Sequence, residues 1–287
     1  MTTAYRPRRS VLYMPSSNER ALEKAKALGC DALILDLEDA VAPDAKPAAR
    51  DNACAAAKSG EYGRREITIR VNGIGTEWHE ADLAAASAAG PDGIVVPKVN
   101  SPKEVRQLAE AMRDFGAPET TKLWAMIETP EAIFEADKIA RADERLACFV
   151  IGTNDLVKEL QALHVPGRAP VLTSLSMALL AARRAGIAIV DGVYNDVKDA
   201  EGFAAECRQG REMGFDGKTL IHPGQIDACN AAFSPSESEI EEAEGIVAAW
   251  RDGAGTGVVT YNGKMIERLH VDIAERVLAV HEAVTAG

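Results

Sequence analysis

The chain has 287 residues, 47% hydrophobic and 26% charged, which suits one large globular domain, or one domain with an appendage, and excludes a disordered chain. Lys and Arg number 32 against 44 Asp and Glu, and the net charge of -12 disfavours nonspecific attraction to nucleic acid or to an anionic membrane. Five scattered cysteines (Cys30, Cys54, Cys148, Cys207, Cys229), with no C-x-x-C spacing, argue against a disulfide framework and a zinc cluster and fit a reducing cytoplasm.

The N-terminal stretch "MTTAYRPRRSVLYMP" carries Arg6, Arg8 and Arg9 but then only a short apolar run, too short for a signal peptide or a membrane span. From "SVLYMP" onward, β-rich runs alternate with Ala-rich amphipathic segments. The runs are "SVLYMP", "ALILDLED", "EITIRVN", "GIVVPKV", "KLWAMIET", "ACFVIGT", "IAIVDGVYN" and "KTLIHP". Helix-like stretches such as "NERALEKAKALG", "EADLAAASAAG", "SPKEVRQLAEAMRDFG", "TPEAIFEADKIARA", "LTSLSMALLAARRAG" and "AEGFAAECRQGREMG" lie between them, several ending on a Gly suited to a helix C-cap. Eight such strands over about 225 residues predict an α/β fold, a parallel (β/α)8 TIM barrel. A doubly wound open sheet is the weaker rival, because no strand leads into a G-x-G-x-x-G turn.

Residues 1–233 are expected to form the barrel and 234–287 a C-terminal helix-hairpin-helix extension. Ser234, Pro235 and Glu237 predict a capping-box start for "SPSESEIEEAEGIVAAW". A flexible link, "RDGAGTG", precedes "VVTYNGKMIE", whose Asn262-Gly263 pair signals a two-residue hairpin. An amphipathic helix, "RLHVDIAERVLAVHEAV", closes the chain.

In a parallel barrel every strand's C-terminal end opens at one mouth, where sites of this fold sit. The residues expected there are Asp36, Glu38, Asp39, Arg70, Asn72, Lys98, Glu128, Asn154, Asp155, Asn195, Asp196 and His222. The opposite strand ends read as blander. Glu128, which ends the apolar run of "WAMIETP", and Asp155 provide hard oxygen ligands with no His or Cys beside them, suiting Mg2+ or Mn2+ held by one or two carboxylates. The plainer alternatives are that Asp155 caps the helix "DLVKEL" and that Glu128 pairs with a nearby cation; Thr129-Pro130 already caps the next helix.

Arg70 is a fixed fork suited to a carboxylate or an enolate oxygen, or equally to a structural bridge with Glu38 or Asp39. At least one of Asp36, Glu38 and Asp39 is expected to orient Arg70 or a metal-bound water from behind. Ser16, Ser17 and Asn18, with Arg20 and Lys24 in the following helix, could receive a phosphate, or form an ordinary cap and a solvated basic face. His222 fits an anchor of the last loop better than a base. His79, His164, His270 and His281 have no catalytic spacing, and no signature of serine, cysteine or zinc hydrolysis occurs.

At "LYMPSSNERALEKA", "LILDLEDAVAPDAKPAAR", "IRVNG", "VPKV", "MIETP", "IGTNDL", "DGKTLIHPGQI" and "NGKMIE" the chain resembles the citrate lyase beta subunit and malyl-CoA lyase family, within the HpcH/HpaI aldolase group. The resemblance covers nearly the whole chain in order. It implies a Mg2+-dependent (β/α)8 carbon-carbon lyase, often trimeric, that reversibly cleaves a 3-hydroxyacyl-CoA such as malyl-CoA or citramalyl-CoA into an acyl-CoA, for instance acetyl-CoA, and a 2-oxo acid. It implies a homo-oligomer, a trimer or hexamer.

By position, the resemblance implies Arg70 and Glu128 as substrate contacts and Glu128 and Asp155 as metal ligands. Asn154 stands where the family often has an acidic residue, and Glu267 where several members have an Asp thought to reach a neighbouring subunit's site as acid or base. Rival activities on the same mouth are a (3S)-malyl-CoA thioesterase, a citryl-acyl-carrier-protein lyase subunit of a citrate lyase complex, and an aldolase acting without CoA.

Overall fold

The structure, a computed structural model, describes residues 5–253 and 257–286. It contains a closed barrel of eight parallel strands in sequence order: β1 (Ser10–Pro15), β2 (Ala32–Asp36), β3 (Glu66–Arg70), β4 (Gly93–Val96), β5 (Lys122–Ile127), β6 (Leu146–Ile151), β7 (Ala188–Asp191) and β8 (Gly217–Leu220). Helices α1 (Glu19–Ala25), α2 (Lys46–Ser59), α3 (His79–Ala89), α4 (Pro102–Asp114), α5 (Pro130–Ala140), α6 (Thr153–Glu159), α7 (Leu172–Ala185), α8 (Ala200–Met213) and α9 (Ile226–Phe233) alternate with them. The expected (β/α)8 barrel is therefore present.

Strands buried on both faces explain the near-continuous apolar runs: all five residues of "ALILD" in β2 are inaccessible. Alternate positions fill the barrel, with Val11, Ala32, Ile34, Val95, Trp124, Met126, Cys148, Val150 and Val190 packed together. Local chemistry sets where helices begin. In α4 the Ser101 hydroxyl accepts from Glu104 N at 3.2 Å while the Glu104 carboxylate accepts from Ser101 N at 3.0 Å. In α5, Thr129 Oγ1 accepts from Ala132 N, as expected of the Thr-Pro start.

The barrel floor departs from expectation. The N-terminal strand ends are not bland: Arg8 forms a bidentate pair with Glu66 at 2.6 and 2.8 Å and lies 5.2 Å from the Trp124 ring centroid. Arg9 pairs with Asp31, and Arg183 with Asp216. The sequence reading missed them because the partners of each pair are 22 to 58 residues apart in the chain. A second buried cluster joins Asp191 and Lys218, ending β7 and within β8, to Arg168 and Glu206.

Two compact units divide the described residues, Arg8–Ala232 and a second one that includes residues 5–7 and the described residues from Phe233 onward. Within the second unit, α10 (Glu237–Asp252), a hairpin of β9 (Val259–Tyr261) and β10 (Lys264–Ile266), and α11 (Arg268–Thr285) surround Ala243, Val247, Ile266, Val271 and Ala274. Asn262 and Gly263 both take positive φ, 47° and 75°, as a two-residue hairpin turn requires. The capping box lies two residues later than expected: Ser236 and Glu239 form the reciprocal pair. "SPSESE" contains two overlapping S-x-x-E frames, and the second is used. Residues 254–256 of the expected link lie outside the described residues. All five cysteines are free thiols, and among the described residues no helix is long and apolar enough to cross a membrane.

Candidate active site

Arg70 and Asp36 are the last residues of neighbouring strands and pair in register across the β2–β3 ladder. That register puts the guanidinium directly against the Asp36 carboxylate, with Nε to Oδ1 at 2.6 Å and Nη2 to Oδ2 at 2.7 Å. Glu38 takes Nη1 at 2.7 Å, while Asp39 is 3.9 Å away and largely in solvent. The bridge considered from sequence with Glu38 or Asp39 is thus made to Glu38, with the main partner being Asp36. Burial works against the Arg70 charge, but Asp36 and Glu38 outweigh it and hold its pKa well above the usual range. Asp36 also accepts from Glu38 N and Ala40 N, so the same carboxylate shapes the loop after β2.

The Tyr13 ring lies 4.7 Å from the Arg70 guanidinium carbon. Burial first, and the surrounding carboxylates next, raise the Tyr13 phenol and keep it protonated, although Arg70 opposes this. Tyr13 was not among the expected mouth residues. An aromatic placed two residues before the end of β1, on the inward register, was the signal that could have found it.

Glu128 is 2% exposed and follows β5 directly. Its Oε1 accepts from the backbone N–H of Lys98 at 2.8 Å. Burial, and then the charge of Asp155, push its pKa up to about 7, against the pull of that N–H. A Cβ at Gly152 would stand 2.1 Å from Glu128 Oε2, so the bare glycine after β6 is what leaves room for this carboxylate.

Asp155 sits in the first turn of α6, whose N-terminus has no side-chain cap. Its Oδ1 instead meets Lys98 Nζ at 3.3 Å. Glu38 is raised to about 7 as well, by burial first, with Arg70 lowering it and Asp39 and Asp36 raising it.

The other residues expected from sequence have the following local partners. Asn154 and Asn195 bond to each other at 3.1 and 2.7 Å. Asn72 is buried and accepts from Lys46 Nζ. His222 Nδ1 accepts from Gly224 N at 3.0 Å, the loop anchor expected of it. Arg20 and Lys24 are exposed on α1, which Asn18 caps by accepting from Ala21 N. Glu267 belongs to the second unit, immediately before α11, where its N–H donates to His270 Nδ1 at 3.0 Å. A cavity of about 440 Å³ between α6 and α8 reaches Thr153 and Asn195 but not Glu128.

Among the described residues, no group of three or more His, Cys, Asp and Glu side chains gathers as a metal cluster. The donors at Glu128 and Asp155 are two carboxylates, and the charge of Asp155 adds to the cost of ionising the buried Glu128. That set fits an oxygen-preferring divalent ion that takes only one or two protein ligands and completes its shell with water and substrate.

A closed parallel barrel with acidic side chains and a fixed guanidinium at its C-terminal mouth defines a (β/α)8-barrel enzyme. The chain belongs to the HpcH/HpaI aldolase/citrate lyase family, whose model matches residues 9–223. It is 49% identical, over 98% of this chain and 96% of the other, to a (3S)-malyl-CoA thioesterase of Cereibacter sphaeroides ATCC 17023. It is 36% identical to the citrate lyase subunit beta of Escherichia coli K12, over 96% and 93% of the two chains. Among solved structures it is similar to protein CitE from Mycobacterium tuberculosis in complex with magnesium, acetoacetate and coenzyme A, with a TM-score of 0.78, 30% identity, and coverage of 96% of this chain and 97% of that one. The family resemblance seen in the sequence motifs is confirmed.

Proposed function

We propose that this enzyme acts with Mg2+ on a 3-hydroxyacyl-CoA carrying a distal carboxylate, malyl-CoA foremost, and that it hydrolyses the thioester to free CoA and the hydroxy acid. The observation that carries the metal-dependent reading is the unfavourable pairing of Glu128 with Asp155: a buried carboxylate raised to about 7 beside a second one is stabilised by a divalent cation. Bound magnesium, with Mn2+ as a substitute, would supply Lewis-acid polarisation of substrate oxygens. Glu128 and Asp155 would hold it. The magnesium and coenzyme A of the solved CitE complex support the choice of ion and of a CoA substrate.

Arg70 binds the substrate and stabilises the negative charge that develops on the thioester oxygen. Asp36 and Glu38 fix the plane of its guanidinium, so that little reorganisation is needed as the charge appears. Arg20 and Lys24 receive the CoA phosphates at the surface. Glu267, carried by a neighbouring copy in a homo-oligomer such as a trimer or hexamer, accepts a proton from the attacking water.

Hydrolysis is favoured over carbon-carbon cleavage by the 49% identity to a thioesterase over 98% of the chain. The second reading, lysis to acetyl-CoA and a 2-oxo acid, is favoured by the family and by a CitE complex that contains acetoacetate. There Glu267 takes the proton of the substrate hydroxyl, and Arg70 steadies the resulting enolate.

Product analysis tests both. Purified chain, Mg2+ and malyl-CoA should yield malate and CoA thiol, and EDTA should abolish the reaction. Glyoxylate and acetyl-CoA would select lysis. No turnover of any free CoA ester would leave the acyl-carrier-protein reading of a citrate lyase subunit, and metal-independent turnover would reject the assigned ion site.

A further inference from the structure

Glu128 and Asp155 are joined by a residue to which no role has been given. Lys98 follows β4, and its φ of 51° lies in the left-handed region, disfavoured for any residue with a Cβ. Such a conformation persists where the surroundings over-determine it. Here the turn aims the Lys98 N–H at Glu128 Oε1, 2.8 Å away, and lets the same residue's ammonium reach Asp155 Oδ1 at 3.3 Å. One residue thus restrains both carboxylates, one through the main chain and the other through the side chain. The two attachments differ in permanence. The bond to Glu128 is made at a carboxylate that is 2% exposed, whereas the Lys98 side chain is 48% exposed and can swing into solvent without leaving a buried charge behind.

We infer that Lys98 is a positioning residue that keeps the divalent-ion site assembled before the ion arrives. Its ammonium stands in for part of the ion's charge and is displaced on binding, while its N–H stays on Glu128 throughout. The inference rests on the reading of Glu128 and Asp155 as the holders of that ion. An ammonium is a compact point charge on a flexible stem, well suited to occupy such a place and to give it up. A divalent ion carries twice the charge and accepts oxygen ligands from both carboxylates at once, so the exchange runs in its favour.

Calorimetric titration of the metal-free full chain with MgCl2 separates the two attachments. Lys98→Gln removes the competing charge and should bind Mg2+ about three- to fivefold more tightly than the unaltered protein, the range set by a partly exposed ion pair. Lys98→Gly keeps the left-handed turn and its N–H while removing the side chain, and should match Lys98→Gln. Lys98→Val resists positive φ and should bind about tenfold more weakly than Lys98→Gly. Lys98→Ala replaces it if the valine variant does not fold by circular dichroism. Lys98→Gln binding no more tightly than the unaltered protein would overturn the exchange. Equal affinities for the glycine and valine variants would overturn the main-chain role. Absence of any Mg2+ binding by the unaltered protein is a distinct outcome, which removes the metal reading and this inference with it.

Discussion

At the N-terminal end of the barrel, Arg8 meets Glu66 in a two-point ion pair, Arg9 meets Asp31, and Arg183 meets Asp216. At the C-terminal end, Glu128 and Asp155 lie close together with a half-exposed Lys98 as shared cation, and burial lifts Glu128 to about 7. Both ends are charged, so charge alone does not mark the working end. The floor matches each acid with a base, whereas the mouth leaves its acids under-compensated. Residual electrostatic discomfort, not polarity, distinguishes the site.

The sharpest way to break this contrast is to neutralise the mouth. Glu128→Gln should lower turnover by about a thousandfold, the scale at which losing a charge-stabilising group is felt, yet should not lower the thermal stability of the metal-free protein. Steady-state kinetics and a melting curve in EDTA check both halves. A milder disturbance, Gly152→Ala, places a methyl group where Glu128 Oε2 now lies, and should cost about a hundredfold in kcat/KM by moving that carboxylate out of position.

Breaking the floor should do the reverse. Arg8→Met strips the bidentate partner from buried Glu66 and should cost about 3 kcal/mol in urea unfolding, with kcat of the folded enzyme unchanged well below its melting temperature.

The smallest effect is the response to pH. Glu128 is raised from 4.5 to about 7, so in the metal-free protein its contribution to stability is fully present below 4.5 and is lost as pH rises through about 7. The melting temperature in EDTA should therefore fall by about 2–4 °C over that window. Saturating Mg2+, which needs the ionised form, should oppose the fall.

The strand ends could be read by counting, because each apolar run ends where the barrel opens; Arg70, Glu128 and Asp155 were located in this way. What decides their partners could not. Asp36, not only Glu38, grips Arg70 because β2 and β3 align them in register, and register is a property of the closed sheet. The floor pairs were hidden for a related reason: Arg8 and Glu66 are 58 residues apart and meet only when β1 and β3 enter the barrel on either side of β2. The backbone of Lys98 was equally silent, since "VPKV" contains no glycine to announce a positive φ.

The floor has one more consequence. With Arg8 and Glu66 locked beneath Trp124, and the layer of Val11, Ile34 and Val150 above them, the barrel is stopped at one end. Whatever enters must leave by the same door, so in the proposed reaction the product and the next substrate would share one opening.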